Sequence, residues 1–329
     1  MAISVIVPVR NEARFIERTL AQLVNQDYEG DRFEIIVVDG GSADGTAALV
    51  AKFAEGRRNV RLLHNPRRLS SAARNIAIRH ARGDVILVVD GHCDLADRQH
   101  LQKLAAAFAR SGADCIGRPQ PLDIEGGTML QRAIAAARSS RLGHHPDSFI
   151  YSSEERFVPA RSVAAAYRRK VFDRVGYFDE AFDVCEDVEL NHRIDRAGLR
   201  CFFAPQVAVH YAPRDTLRGL FRQMVRYGRG RVRLLRKHRE TFSLGSMLPA
   251  AFTAGCLAGL PLGFISPWLA GVYLATLALY AAAVLAASAA IAFRPGNHRL
   301  LPWLPLVFLT VHLGSGVGAL LELLKPGQS

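Results

Sequence analysis

The chain has 329 residues, half of them hydrophobic, and a formal net charge of +12, which leaves room for a domain of roughly 200 residues and a substantial second part. The excess charge is local: residues 1–213 hold 29 Lys and Arg against 27 Asp and Glu, whereas residues 214–240 hold ten against two. Five scattered cysteines, odd in number and without metal-ligand spacing, argue against a disulfide framework and favour a reducing compartment. The basic segment has few aromatic residues for base stacking, which argues against nucleic acid as a partner.

Short apolar runs alternate with helical patterns through the first ninety residues. Strands are predicted at Ser4–Val9, Phe33–Val38, Val60–His64 and Val85–Val89, and helices at residues 12–24, Ala47–Glu55 and Ser70–Ala81. This alternation predicts a doubly wound α/β domain. A last strand is predicted at Gln206–Val209. The N-terminal residues lack a basic leader and a small-residue cleavage site, so they are interpreted as the first strand and not as a secretory signal.

Acidic residues follow two of these strands and precede a later helix. Asp39 and Asp90 each end a run rich in Val and Ile, and Glu186-Asp187 stand before the amphipathic stretch Val188–Ala197. Ligands of open α/β sheets bind at the carboxyl ends of the strands, so we expect Asp39 and Asp90 to face one crevice. An acidic crevice in a basic protein indicates a bound cation and a phosphorylated substrate.

Each acidic group also has a purely structural interpretation. Asp39 could cap the turn that Gly40 and Gly41 complete. Glu186-Asp187 could be a first-turn pair stabilised by the helix dipole.

The last third of the chain is apolar. Met247 to Phe293 contain no Asp, Glu, Lys or Arg, and a membrane-spanning helix needs about 20 apolar residues. We therefore predict about three spans, at residues 247–265, 268–293 and 300–324. The positive-inside rule places the basic segment before the first span, and the loop with Arg294 and Arg299, in the cytoplasm. Gly- and Ala-rich segments of this length, without charge, disfavour the alternative, a buried helical hairpin of a soluble domain.

A set of motifs occurs in a fixed order along the chain. They are Pro8-Val-Arg-Asn-Glu12, Val38-Asp-Gly-Gly-Ser-Ala-Asp-Gly-Thr46, Ala73-Arg-Asn75, the strand ending at Asp90, Tyr167–Glu180, Glu186-Asp187 and Gln223-Met-Val-Arg-Tyr227. The set resembles glycosyltransferase family 2, which has the GT-A fold, and is most similar to its succinoglycan-type (ExoA-like) membrane-anchored exopolysaccharide enzymes.

The resemblance implies three parts of the chain. Residues 1–213 would form the GT-A catalytic domain, an α/β domain with a Rossmann-like, mostly parallel mixed sheet. Residues 214–245 would form a basic juxtamembrane segment, and residues 246–325 a transmembrane anchor. The basic segment would also adhere to anionic lipids, which makes membrane lipids a partner.

The resemblance also implies a nucleotide-sugar site. Asp39 would accept a hydrogen bond from the N3–H of uracil, and Arg74 would lie near the ribose and phosphates. The loop containing Pro8, Arg10 and Glu12 would wall the base and ribose. The purely structural interpretations are that Glu12 is a carboxylate in the first turn of a helix and that Arg74 is an exposed helix arginine.

A divalent cation, Mn²⁺ or Mg²⁺, is implied at the position of the family's Asp-x-Asp motif. There Asp90 would hold the ion that bridges the donor diphosphate. His92 stands where the second Asp is common, and imidazole suits Mn²⁺ better than Mg²⁺. Asp94 lies two residues further on, His210 could approach the ion, and a metal-independent variant stays open.

The catalytic roles are implied for residues later in the chain. Asp187 would be the general base that takes the proton from the acceptor hydroxyl, with Glu186 as its neighbour or as an acceptor contact. Gln223 and Arg226 are spaced i, i+3, so a helix presents them on one face, and the family places them over the donor diphosphate and acceptor.

These features predict an inverting glycosyltransferase that moves a sugar, a hexose from a UDP-sugar, to a polyprenyl-diphosphate-linked saccharide in exopolysaccharide or surface-polysaccharide biosynthesis. It would be a multi-pass protein of a bacterial-type inner membrane with a cytoplasmic catalytic domain. Three alternatives stay open: a polyprenyl-phosphate sugar synthase, a processive synthase, and a non-catalytic membrane protein that binds nucleotide sugar. Tyr227, in place of the usual Trp, disfavours the processive synthase.

Overall fold

The protein is described by a computed structural model covering residues 1–95, 97–122, 126–144 and 148–325. It divides into two compact units, the first made of residues 1–121 and 147–211 and the second of residues 122–146 and 212–329. Residues 126–144, which the sequence prediction assigned to the catalytic domain, group with the C-terminal helices.

The first unit is built on an eight-stranded mixed sheet with strand order β3-β2-β1-β4-β8-β6-β9-β7. The strands are β1 Ile3–Val9, β2 Phe33–Asp39, β3 Val60–His64, β4 Val85–Val88, β5 Cys93–Asp94, β6 Cys115–Gly117, β7 Arg156–Val158, β8 Ala164–Arg168, β9 Cys201–Phe203 and β10 His210–Tyr211. Strands β1 to β4 pair in parallel, β8 joins them antiparallel, and β5 pairs with β10 in a separate ribbon. The predicted α/β class with a mostly parallel mixed sheet is confirmed.

Eleven α-helices are described along the covered residues. They are α1 Ile16–Val24, α2 Thr46–Ala54, α3 Ser70–His80, α4 His100–Ser111, α5 Met129–Arg138, α6 Arg169–Val175, α7 Glu186–Arg196, α8 Leu217–Lys237, α9 Leu244–Gly263, α10 Pro267–Ala292 and α11 Leu304–Leu323. The predicted strand at Gln206–Val209 is wrong. Residues Pro205–Val207 form a 3₁₀ turn, because the fixed φ of proline suits the first position of a helical turn.

The sheet of the first unit is covered on both faces. Val5 and Val7 of β1 pack into one core cluster with Leu20 of α1, and Ile6 packs into the other with Ile78 of α3. Near-continuous Val and Ile runs are expected for parallel strands that are buried on both sides. This burial leaves the ends of the strands as the place where polar side chains can meet a ligand.

The second unit contains helices α5 and α8 to α11. Two of them, Pro267–Ala292 and Leu304–Leu323, are long and apolar enough to cross a membrane, by length and composition alone. The apolar stretch Leu244–Gly259 of α9 is shorter. The three predicted spans thus fall on α9, α10 and α11, two of which pass this test.

Candidate active site

The loops that follow β1 and β2 are joined to each other by hydrogen bonds. Asn11, at φ +58°, accepts from the Ala43 amide at 2.9 Å through Oδ1, and its own amide donates to Ser42 Oγ at 2.9 Å. The Glu12 amide donates to Thr46 Oγ1 at 2.8 Å. Asn11, Ser42 and Thr46 were motif residues without an assigned role, and they fix the two loops that frame this edge of the sheet.

Asp39 ends β2 and is buried. Its Oδ2 accepts from the Gly41 and Ser42 amides at 2.9 and 3.1 Å, and its Oδ1 accepts from Ser42 Oγ at 2.5 Å. The turn-capping interpretation is therefore present in the structure. These bonds use three of the roughly four acceptor positions of a carboxylate, so a single N–H donor would complete the set.

Pro8 and Arg10 lie on either side of the end of β1. Pro8 is in register with Val38 of β2. Arg10 is exposed and follows the strand, next to Gly40, whose amide donates to the Val9 carbonyl at 2.9 Å. Both residues therefore border the turn that Asp39 caps.

Arg74 of α3 connects two of the predicted acidic residues. Its Nη1 is 3.0 Å from Glu186 Oε1 and its Nη2 is 3.7 Å from Asp90 Oδ1. The guanidinium carbon lies 5.2 Å from the centre of the Phe178 ring. Arg74 Nε is buried and has no hydrogen-bond partner among the described residues. Arg74 is thus a buried bridge, not the exposed helix arginine of the alternative interpretation.

The charges of this cluster shift one another. Burial lowers the pKa of Arg74, but the carboxylates of Glu186, Asp90 and Asp187 outweigh burial and raise that pKa above its ordinary value. Burial raises the pKa of Glu186, and Arg74 only partly opposes this. The arginine therefore stays charged, and Glu186 is held as its partner in a poorly hydrated place.

Asn75 explains why α3 presents Arg74 here. Its Nδ2 donates to the Phe178 carbonyl at 2.9 Å and to Glu180 Oε1 at 2.8 Å, and its Oδ1 accepts from the Phe178 amide at 2.9 Å. Ser71 Oγ donates to the Phe182 carbonyl at 3.0 Å. These bonds attach α3 to the loop that leads into α7. Asn75 therefore holds the loop that precedes Glu186, the ion-pair partner of Arg74.

Helix α7 begins at Glu186, directly after Cys185, whose φ of +61° is unusual for a residue with a side chain. Glu186 is buried against Arg74, whereas Asp187 is exposed and, among the described residues, accepts a local bond from the Val188 amide at 2.8 Å. Successive helix residues point about 100° apart. Glu186 was expected to neighbour the base or contact the acceptor; the structure places it inward, as the partner of Arg74.

His92 stands beside Glu12 at the end of β4. Its Nδ1 is 3.0 Å from Glu12 Oε1, and its ring meets that of Tyr211 edge-on at 5.9 Å. A carboxylate beside one ring nitrogen is the kind of partner that orients metal-bound histidines. Asp94 is not a substitute for the missing second Asp, because Arg18 and Gln22 of α1 bind its carboxylate.

The donor set at this edge fits a divalent cation that binds chiefly through a substrate. Asp90 has a side chain that is 31% exposed, and its contact with Arg74, at 3.7 Å, is long. The described residues do not gather three His, Cys or carboxylate ligands around Asp90. A cation held by Asp90 and His92 would take its remaining ligands from phosphate and water, as Mg²⁺ usually does.

His210, the other histidine considered near a metal, lies in the ribbon β10, paired with Asp94 of β5. Gln223 and Arg226 lie on α8 in the second unit. Gln223 Oε1 accepts from Arg214 Nε at 3.4 Å, and its Nε2 donates to the Tyr227 hydroxyl at 3.2 Å. Their roles in substrate binding stay predictions.

Arg118 is a buried residue that sequence reasoning missed. Only 3% of it is exposed, its Nη2 donates to the Val88 carbonyl at 2.9 Å, and its Nε and Nη1 lack partners among the described residues. It follows the three-residue strand β6. A single arginine after so short a strand carries no sequence pattern that would predict its burial. Its bond to the carbonyl of Val88, two residues before Asp90, brings a positive charge to the end of β4.

Comparison with known proteins gives a consistent result. Residues 4–176 match the family model for glycosyl transferase family 2. The succinoglycan biosynthesis protein ExoA of Rhizobium meliloti is 31% identical over 249 residues, which cover 75% of this chain and 74% of that protein. A Methanococcus voltae protein is 25% identical over 71% of this chain and 74% of its own length. It is named dolichyl N-acetyl-alpha-D-glucosaminyl phosphate 3-beta-D-2,3-diacetamido-2,3-dideoxy-beta-D-glucuronosyltransferase.

Solved structures agree on the fold. A mannosyltransferase from Pyrobaculum calidifontis, in complex with GDP-Man and Mn²⁺, has a TM-score of 0.58 and 23% identity, covering 97% of this chain and 86% of that one. Residues 1–349 of TarS from S. aureus give a TM-score of 0.51 at 17% identity, covering 94% and 90%. At these identities the likeness supports the fold and nothing finer.

Proposed function

The chain belongs to glycosyltransferase family 2, with the GT-A fold and glycosyltransferase activity, and from this premise we propose that it transfers a sugar from a UDP-sugar, with inversion, to a lipid-linked saccharide. The transfer would serve the assembly of a surface or secreted polysaccharide. One observation carries the proposal: Arg74 is held between Asp90 and Glu186 at the carboxyl end of the sheet, and Asp187 is exposed one residue later.

The donor would lie across the end of β1. Asp39 ends β2 and Asp90 follows β4, and these strands are the two neighbours of β1, so about 10 Å of sheet separates them at roughly 4.8 Å per strand. Asp39 would read the uracil N3–H with its remaining acceptor position, and the loop of Pro8, Arg10 and Glu12 would border the base and ribose. Arg74, on α3, would lie next to the diphosphate.

Asp90 and His92 would hold the cation. Bound there, it would neutralise the charge that the leaving UDP gains. Glu12, 3.0 Å from His92 Nδ1, would orient the ring toward the cation.

The chain's own contribution to transfer is a base. Asp187 would accept the proton of the acceptor hydroxyl while that oxygen bonds to the anomeric carbon and the bond from this carbon to UDP breaks. Attack opposite UDP inverts the anomeric centre. Glu186 would act through Arg74, as a positioning residue.

The lipid-linked acceptor is supported by two kinds of observation. The name of the Methanococcus voltae relative includes a dolichyl phosphate-linked sugar, and the Rhizobium meliloti relative is a polysaccharide biosynthesis protein. In this chain, apolar helices follow a basic segment, which suits attachment to an anionic membrane. We propose the cytoplasmic face of the inner membrane, where nucleotide sugars and reduced cysteines coexist.

The test is a screen for release of nucleoside diphosphate from UDP-sugars and GDP-mannose, with membrane lipid extract as acceptor source, with and without Mn²⁺. Wild type should release UDP from one UDP-sugar, and Asp90→Ala should reduce the rate at least about 100-fold, as the loss of one major charge-stabilising contact does. Asp94→Ala is the matched control, because Arg18 and Gln22 already occupy that carboxylate. Equal rates for the two variants, or release only from GDP-mannose, would contradict the proposed site or donor.

A further inference from the structure

Helices α10 and α11 are similar in composition but differ in their surroundings. Both are long and apolar enough to cross a membrane, yet 17% of the apolar window of α10 is buried and 44% of that of α11. The neighbours of each helix within the second unit therefore decide where it can lie relative to lipid.

Helix α11 runs beside α8 and in the same direction. A Cβ at Gly314 would lie 2.7 Å from Met224 Cβ, and one at Gly318 would lie 2.1 Å from the Val225 carbonyl oxygen. Further along, Arg233 Nε donates to Glu322 Oε1 at 2.8 Å. The contact extends from Gly314 to Glu322, about 12 Å at 1.5 Å per residue.

The partner helix is heavily charged. Eight basic residues lie on α8: Arg218, Arg222, Arg226, Arg229, Arg231, Arg233, Arg236 and Lys237. Five of these, Arg218, Arg222, Arg226, Arg236 and Lys237, are exposed. A single Arg or Lys at the centre of a bilayer costs about 2.5–3.5 kcal/mol or more. A bilayer that took in this part of α11 would also have to take in the charges beside it.

The first half of α11 is covered by another polar helix. Leu304, Val307 and Phe308 are buried in one cluster with Ala133 and Ile134 of α5. Helix α5 also carries Arg132, which is exposed. Both halves of α11 therefore pack against helices that carry exposed charge, which disfavours a position of α11 in the hydrocarbon core.

Helices α9 and α10 form an antiparallel hairpin with the opposite character. The rings of Phe252 and Tyr280 stack at 4.2 Å, and nearer the turn Gly259 lies against the Tyr273 ring. From residue 255 to residue 283, none of the residues whose burial the structure describes is buried. We call this stretch the apolar arm.

The tip of the apolar arm is suited to hydrocarbon. Phe264, Ile265 and Trp268 are 87%, 75% and 73% exposed. The Phe264 and Ile265 amides donate to the Pro261 and Leu262 carbonyls at 3.2 and 3.0 Å. Pro267 has no amide hydrogen. Three positions of the turn, Phe264, Ile265 and Pro267, therefore present no unpaired backbone donor to lipid.

We infer that the apolar arm inserts tip first into one side of an anionic bilayer, while α8 and α11 stay at the surface and no helix of this unit crosses. The α10 side of the arm, residues 267–283, is about 25 Å long at 1.5 Å per residue, less than the roughly 30 Å of a hydrocarbon core. At the other end of α10, Arg299 and His298 line a cavity of about 270 Å³ with Arg132. These groups match the charge of lipid phosphates.

This inference replaces the predicted three spans with a one-sided insertion. Residue 212, where the second unit begins after the first, and the end of α11 would then lie on the same side of the membrane. The one-sided insertion rests on the membrane attachment proposed above but not on the identity of the donor or the acceptor.

Two tryptophans provide the first test, since the chain has only Trp268, in the arm, and Trp303, before α11. Trp303→Phe and Trp268→Phe leave one fluorophore each. The full-length variants are bound to vesicles of phosphatidylglycerol and phosphatidylcholine with acyl chains brominated at different depths. Bromines near the bilayer centre should quench Trp268 at least twofold more than shallow bromines, and Trp303 should show the reverse order. Stronger quenching of Trp268 by shallow bromines, as three spans require, or no vesicle binding, would overturn the inference.

The second test compares tags placed before Met1 and after Ser329 in sealed, inside-out membrane vesicles. A protease added outside should remove both tags to the same extent. Protection of the C-terminal tag alone would overturn the inference. Release of UDP is measured on the same vesicles: normal release with protected C-terminal tags defeats only the insertion model. Deep quenching of Trp268 without UDP release from any donor defeats only the proposed function.

Discussion

The edge of the first unit's sheet and the apolar arm of the second unit expose opposite kinds of groups. At the edge, Asp39 is held by its own turn and Arg74 by two carboxylates. Along the arm, apolar side chains such as Phe264 and Trp268 face outward. A charged reaction needs groups that are fixed before the substrate arrives, whereas adhesion to lipid needs only accessible apolar area. Substitutions at the edge should therefore change rates, and substitutions in the arm should change attachment.

The largest effect is expected for Asp187→Asn. Loss of a general base reduces a rate about 10²–10⁴-fold, and UDP release in the presence of lipid acceptor measures it. Asp173→Asn, at an exposed position of α6, is the control and should keep the wild-type rate. Undiminished activity in Asp187→Asn would show that Asp187 is not the general base. It would favour a phosphate acceptor, which is already ionised and needs no base.

The ion pair beneath the edge should be required for activity and replaceable for stability. Glu186→Met leaves Arg74 buried without its closest partner, which should cost about 3–5 kcal/mol of unfolding free energy. The double variant Arg74→Met/Glu186→Met should recover most of that loss without recovering UDP release. Urea unfolding and the release assay measure the two outcomes. A double variant that is active would show that Arg74 does not serve the donor.

The second unit offers a matched pair of glycines. A Cβ at Gly318 of α11 meets the Val225 carbonyl oxygen at 2.1 Å, whereas one at Gly271 of α10 has nothing within 4 Å. Gly318→Ala should destabilise the protein by about 1–3 kcal/mol through overpacking, and Gly271→Ala should be neutral or slightly stabilising. Thermal unfolding in detergent compares them. Equal effects would mean that α11 is not clamped to α8.

A smaller effect is expected from pH. Burial, with help from Arg118, lowers the pKa of His100 to about 3, whereas an unfolded histidine titrates near 6.5. Between these values the unfolded chain binds the proton and the folded chain does not. Stability should therefore be complete above about pH 6.5 and fall as pH drops, by at most about 1.4 kcal/mol per pH unit.

Between pH 6.5 and 5, His100→Gln should flatten this dependence, while His80→Gln, at an exposed site, should leave it unchanged. Chemical denaturation at each pH gives the slopes. The assignment fails if the His100→Gln and wild-type slopes coincide.

Local patterns predicted the first half of the sheet well. Strand β3 has the predicted bounds and β2 extends one residue further, because runs of Val, Ile and Leu between turn residues specify buried strands directly. The two-residue strands β5 and β10 were missed, because they exist only through each other's pairing. Helix α3 begins at the predicted Ser70, and its cap position, Leu69, makes no side-chain bond.

At the candidate site, motifs identified the residues but not their partners. Arg74 and Glu186 are 112 positions apart and Glu12 and His92 are 80 apart, so no local spacing reveals either contact. Similarly, hydropathy alone gives α10 and α11 the same label. The glycines that allow α8 to approach α11 are one feature that separates them, and a glycine in an apolar helix is too common to reveal this from sequence.

The clamp between α8 and α11 has a practical consequence for anyone preparing the enzyme. A truncation before residue 246, at the apparent start of the hydrophobic tail, would remove the helices that bury Leu220, Met224 and Val232 of α8. The exposed apolar side chains would make the fragment aggregate. Replacing the part of the apolar arm between Ala258 and Leu279 with a short polar linker would leave these α8 residues covered. Such a shortened polypeptide is the better starting material for crystallisation without detergent.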